Sequence, residues 1–129
     1  MAFTHKVLQE LTVSGRSVSS ENTYSGDGQA SIEVAVPDES SDMLVDLALD
    51  VSQIASIIIL ADQVLTLETN DGDTPDDTIS LVANVPYVWN SDSYDDCPLT
   101  VDVTALYVTN ASGSAATLKI ECVYDATPS

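Results

Sequence analysis

His5 is the only histidine in the chain, so any Ser-His-Asp or Cys-His arrangement has to be built around it. A triad needs a rigidly held base. His5 lies close to the N-terminus and reads as a surface residue of a first strand. The carboxylates are the other abundant reactive groups. Paired acids hydrolyse glycosidic bonds when one is buried, with a raised pKa, beside aromatics in a cleft. Here they fall in turns rich in Gly, Pro and Ser, where water reaches them. No catalytic residue and no cofactor is assigned, and the chain reads as non-enzymatic.

Calcium chemistry has a more concrete candidate. "NDGDTPDD" places Asn70, Asp71, Asp73, Asp76 and Asp77 in one loop, all with the hard oxygen atoms that calcium prefers. The segment lacks the EF-hand order of alternating acids, central Gly and closing Glu, and the same residues also make an ordinary solvated turn. "DSYDD" at 92–96 is a weaker version. Trp89 with Tyr87 and Tyr94 offers flat aromatic faces of the kind that bind sugars. A single Trp at a strand end also serves as a core or edge plug, and that reading is preferred. Cys97 and Cys122 have neither a CxxC partner nor a neighbouring His, so they read as two reduced, unrelated thiols rather than a metal or redox centre. There is no Gly-rich phosphate loop, zinc spacing or heptad repeat.

Charge narrows the classes further. Twenty-one acids face only Lys6, Arg16 and Lys119, a formal net charge of −18. A folded domain of this size exposes about 6,500 Å², so net charges are spaced ~19 Å apart against a Debye length of ~8 Å. Acidity on this scale keeps a protein soluble and is largely screened in saline. Without a basic stripe to neutralise phosphates, nucleic acid is not an expected partner. The longest apolar run, "IASIIILA" at 54–61, suits a buried strand and falls short of a membrane span, and the N-terminus has no secretion-type apolar segment.

The elements that position these residues read as strands, in a composition rich in Val, Ile, Leu, Thr and Ser. Phe3, Val7, Leu11 and Val13 alternate along a first strand that ends at Gly15. "SSENTYSGDGQ" at 19–29 reads as a polar loop. Ala30, Ile32, Val34 and Val36 line one face of a period-two strand closed by Pro37. Leu44, Val45 and Leu47 suit a strand, although "SDMLVDLALD" also fits a helix, and "SQIAS" fits a short helical turn or a bulge. "SIIILAD" and "VLTLETN" look like two arms of a hairpin. "TISLVANVPYVWN" holds two short strands, and "DVTALYVTNASGSAATLKIECVYD" looks like a second hairpin, with Leu106, Val108, Leu118 and Ile120 facing the core. Strands at this spacing predict an all-β, antiparallel two-sheet sandwich of about eight strands, the jelly roll being one form. The expected organisation is one domain: an N-terminal strand or arm and loop at 1–29, a sandwich at 30–125, and a frayed tail at 126–129.

Three segments, "VDLALDVSQIASIIILADQVLTLETN", "VPYVWNSDSY" and "PLTVDVTALYVTNASGSAATLKIECVYD", resemble the small all-β virion structural proteins of tailed bacteriophages. The resemblance implies a capsid decoration or cement protein, a sandwich on the outer shell that clamps neighbouring major capsid subunits, often as a homotrimer. It implies contacts through an N-terminal arm. The interface candidates are therefore Phe3, His5, Lys6, Arg16 and Tyr24, with Trp89 as a further one, and Lys6 and Arg16 would suit an acidic shell. The expected location is the virion surface, with no nucleic-acid or membrane partner. The alternatives are a tail or head-fibre module, a carbohydrate- or calcium-binding sandwich, and a DNA mimic. The last would need its charges in duplex-like rows, whereas these are scattered over turns.

Overall fold

A computed structural model of the chain describes residues 3–125, and the expected frayed tail lies outside them. The described residues form ten strands. Two of them, β1 (Phe3–Val13) and β2 (Arg16–Gly26), pair with each other as a separate ribbon. The other eight are β3 (Gly28–Val36), β4 (Met43–Val45), β5 (Ile54–Ala61), β6 (Leu65–Thr69), β7 (Thr78–Leu81), β8 (Tyr87–Asn90), β9 (Leu106–Thr109) and β10 (Ala116–Tyr124). They make two four-stranded antiparallel sheets in the orders β3-β10-β5-β8 and β4-β9-β6-β7.

The two orders contain nested pairs: β3 with β10, β4 with β9, β5 with β8, and β6 with β7. Only the innermost pair, β6 and β7, consists of consecutive strands within one sheet. Every other link from β3 to β10 crosses between sheets. This is the jelly-roll winding, in which one long ribbon of paired strands is folded over on itself.

Alternation supplies the core. Ile57, Ile59 and Ala61 of β5 point inward, as do Leu65 and Leu67 of β6, Leu106 and Val108 of β9, and Leu118, Ile120 and Cys122 of β10, all buried. Two inward faces of this kind interdigitate to form one apolar layer, whose removal from water is the main stabilising term. The four core positions expected in the last two strands are therefore in place.

Both expected hairpins are corrected. β5 and β6 lie in opposite sheets, and so do β9 and β10. The short links between them are corners of the sandwich, not turns of a ladder. The expected turn "NASGSAA" is such a corner, tied by Asn110, which is fully buried. Its Nδ2 donates to the carbonyls of Val36 (3.1 Å), Pro37 (3.3 Å) and Ser114 (2.8 Å), while its Oδ1 accepts from the N–H and hydroxyl of Ser112. One side chain thus joins the end of β3 to the link between β9 and β10.

The helical reading of 41–50 is not what forms. Val45, Leu47 and Leu49 alternate inward, Leu49 bridges to Val103, and Leu44 faces water. A single 3-10 turn follows at Val51–Gln53, capped by the Asp50 carboxylate, which accepts from Ser52 N–H and Oγ.

The expected polar loop at 19–29 is corrected too. Most of it is β2, which pairs with β1 in unbroken register from Phe3↔Gly26 to Val13↔Arg16. Ser14 (φ 44°) and Gly15 (φ 82°) make the link. Two successive left-handed residues are what a type I′ hairpin turn requires, and its twist matches that of the strands.

Candidate functional site: a projecting arm and its seat

Register decides what the β1–β2 arm presents. One face carries Phe3, His5, Val7, Gln9 and Leu11 of β1, with Val18, Ser20, Asn22 and Tyr24 opposite on β2. The other face carries Thr4, Lys6, Leu8, Glu10 and Thr12 with polar partners. The apolar face turns toward the outer side of the β3-β10-β5-β8 sheet, but only its proximal half is covered. Phe3, His5 and Val7 are half-buried and Tyr24 is buried, while Leu11 and Val18, directly opposite each other, are 65% and 74% exposed.

The seat beneath the proximal half is a small second core. Val123 points outward from β10 yet is fully buried, and Ser56 of β5 and Asn90 of β8 are buried beside it in the register of the sheet. The Tyr24 hydroxyl donates to Asn90 Oδ1 at 2.8 Å. Asn90 is itself held in a local turn: its Oδ1 also accepts from Asp92 N–H at 3.0 Å, and its own N–H donates to Ser93 Oγ at 2.9 Å. Burial, and then Asp92, raise the pKa of the Tyr24 phenol, keeping it a donor. Gly26 crosses the end of β10 so closely that a Cβ there would collide with the Tyr124 carbonyl. This is why glycine stands where the arm bends onto the body.

His5 lies between arm and sheet, facing Glu121 of β10. Burial lowers its pKa, with the Glu121 carboxylate opposing the shift. Lys6 pairs with Glu21 across the arm at 3.6 Å, both exposed, a contact worth little in water. Arg16 stands beside the turn at the tip. Five of the six interface candidates therefore belong to one hairpin. Tyr24 is spent internally, as the arm's anchor.

Trp89 belongs to β8 and not to that hairpin, although it lines a hollow together with Asn22 and Tyr24; it is half-buried against the main core, and its indole N–H donates to the Asp95 carbonyl at 3.0 Å. The pairing of Tyr24 with Asn90 had no local signal in the sequence. Nor had the burial of Val123, which a simple two-face reading of β10 assigns to solvent.

The acidic loop at 70–77 is organised by its own hydrogen bonds. Asn70, at φ 69°, accepts from Thr104 N–H (2.7 Å) and its hydroxyl, and donates to Asp76 Oδ2 and the Asp102 carbonyl. Asp71 accepts from the N–H groups of Asp73 and Thr74, which lowers its pKa. Asp77 holds Thr100 through its N–H (2.8 Å) and hydroxyl (2.7 Å). These side chains tie the loop to the segment at 100–105, and among the described residues no group of three or more His, Cys, Asp or Glu is arranged to hold a metal ion. Glu68 has its carboxyl pKa raised, by desolvation first and then by the Asp42 carboxyl and the charges of Asp73 and Asp71.

The thiols are reduced, but they are not unrelated. Cys97 packs against the same core that contains Cys122. Burial, reinforced by Cys97, pushes the Cys122 thiol up to about 12.

Fold and site together define a jelly-roll sandwich that carries a β-hairpin arm on the outside of one sheet. No family model matches the chain, and neither a curated protein nor a solved structure matches it.

Proposed function

We propose that this chain is a non-enzymatic virion structural protein, a capsid decoration or cement protein that clamps neighbouring major capsid subunits from the outer shell. The resemblance to small all-β phage virion proteins supplies the class. The observation that carries the reading is the arm: two eleven-residue strands anchored at one end and overhanging at the other, with an uncovered apolar pair near the tip. A two-stranded ribbon is marginal in water on its own, so a ribbon held out with apolar side chains exposed is suited to gripping something else. The body suits the same role. It holds nearly all of the acidity, which keeps an outward surface solvated and free of nonspecific association.

The test is cosedimentation of the full chain with shells assembled from the major capsid protein of the encoding phage, followed by imaging of the decorated shell. Saturable binding at symmetry-related outer positions is expected. A chain that stays in the supernatant at every salt concentration overturns the reading.

A further inference from the structure

We infer that the arm tip of one copy docks in the cleft beneath the arm of a second copy, so that Leu11 and Val18 cover Ile58, Val85 and Val88 of their neighbour. The inference rests on the assembly reading above only in taking the arm as the gripping element, and it concerns the free protein, without a shell.

The cleft lies between the arm and the outer face of the β3-β10-β5-β8 sheet and has a volume of about 1030 Å³. Its floor is apolar at Ile58, Val85, Pro86 and Val88, and Val85 is more than half exposed. A second hollow of about 660 Å³ opens on the other side of the arm, sharing Gln9, Pro86 and Val88 with the first and including Asp92 and Asp95. The tip cannot fill either space in its own molecule, because the paired strands hold it beyond the seat. The shallow hollow around Leu11 and Val18 is lined by arm residues alone.

Charge selects the occupant. Residues 1–26 contain two cations and two acids and are neutral, whereas the rest of the chain sets nineteen acids against Lys119 and carries the whole −18. Two bodies repel each other; a neutral ribbon can approach a body without that penalty. Arg16 makes no ion pair among the described residues, and the cleft wall offers the Glu121 and Glu10 carboxylates to its guanidinium. Tip and cleft are different surfaces of one chain, so a one-way contact is head-to-tail and builds a ring or an open chain, whereas a reciprocal exchange gives a pair.

The experiment is light scattering of the full chain at about 100 µM, where micromolar contacts are saturated, in low and moderate salt. The wild type is expected at a multiple of 13.6 kDa. Association should strengthen as salt rises from low to moderate, because the repulsion between bodies is screened at longer range than the Arg16 contact. Leu11→Thr with Val18→Thr, and separately Val85→Glu, should each weaken association at least about tenfold, as expected for central apolar contacts. All three positions are exposed in the single chain, so circular dichroism and melting should match the wild type. Mixing the two variants should restore a single contact and give a 1:1 complex, since one keeps its cleft and the other its arm tip.

A wild type that is monomeric at both salts overturns the inference while leaving shell binding to be judged by cosedimentation. An oligomer that survives both variants overturns it as well.

Discussion

The Tyr24 hydroxyl and Asn90 Oδ1, 66 positions apart in sequence, meet at 2.8 Å in a buried hydrogen bond that joins the arm to the sandwich. Around it, Val123 and Ser56 are covered on the side of the sheet that faces away from the main core. The arm is thus neither a free tail nor a full member of a sheet. It is a ribbon fastened at its base.

Tyr24→Phe removes the hydroxyl but keeps the ring. A neutral buried hydrogen bond contributes about 1 kcal/mol, and the loss should appear as faster amide exchange over residues 3–26 with protection in β5, β9 and β10 unchanged. Tyr24→Ala also empties the space under the arm and should cost about 3 kcal/mol of local stability. A uniform loss of protection across the body would show that the arm is an integral part of the sandwich.

Gly26→Ala tests the close crossing. The added Cβ meets the main-chain carbonyl of Tyr124, which no side-chain rotation can move aside, so either the arm lifts or the end of β10 moves. Increased protease cleavage between residues 16 and 28, with an intact fragment beginning near β3, is the expected outcome.

Asn110→Ala should be among the most destabilising single changes in the body. It removes a fully buried side chain that holds the Val36 carbonyl, and with it one hydrogen bond from the Ser112 N–H and one each from the Pro37 and Ser114 carbonyls, which keep bonds from Ser40 and Ser112. A buried polar group that loses a partner costs ~1–3 kcal/mol; Val36 is the buried one here, while Pro37, Ser112 and Ser114 are exposed to water, so the loss should be about 3 kcal/mol at most. Thermal or urea unfolding reads it directly.

Glu68→Gln should stabilise the protein at neutral pH. The folded state raises the Glu68 pKa through desolvation and the carboxylates of Asp42, Asp73 and Asp71. The folded chain therefore holds this proton more tightly than the unfolded chain, and stability is lost as pH rises from the ordinary glutamate range through the raised value. Glutamine carries no charge, so its advantage should be largest at pH 7 and should vanish at acid pH. Melting temperatures of both proteins across that range check the sign.

Cys122 should resist thiol reagents in the folded protein. A thiol at about 12 is protonated at pH 8, and its sulfur is out of contact with water. Half-buried Cys97 should react slowly, and both should react at once in denaturant. Rapid labelling of two thiols in native buffer would contradict the burial of β10.

The sequence by itself determined what is written in single strands. Alternation is local, so the inward faces of β3, β9 and β10 could be read from Val36, Leu106, Val108, Leu118 and Ile120, and with them an all-β sandwich. Turn chemistry is local too, but "SG" at 14–15 reads only as the end of a strand, because β2 is made of small polar residues without apolar alternation, whose partners lie in β1. Only the tertiary structure decided which strands pair. A short link between two strands fits a ladder turn or a sandwich corner equally well, and the choice is made by burial across the whole molecule. That is why Gly28 lies beside Tyr124, and why "SIIILAD" and "VLTLETN" part into opposite sheets. The seat of the arm was beyond local reading for the same reason. An outward Val123, a serine and an asparagine become a buried site only when a ribbon from the far end of the chain is laid over them, and no pattern within one strand records what covers it.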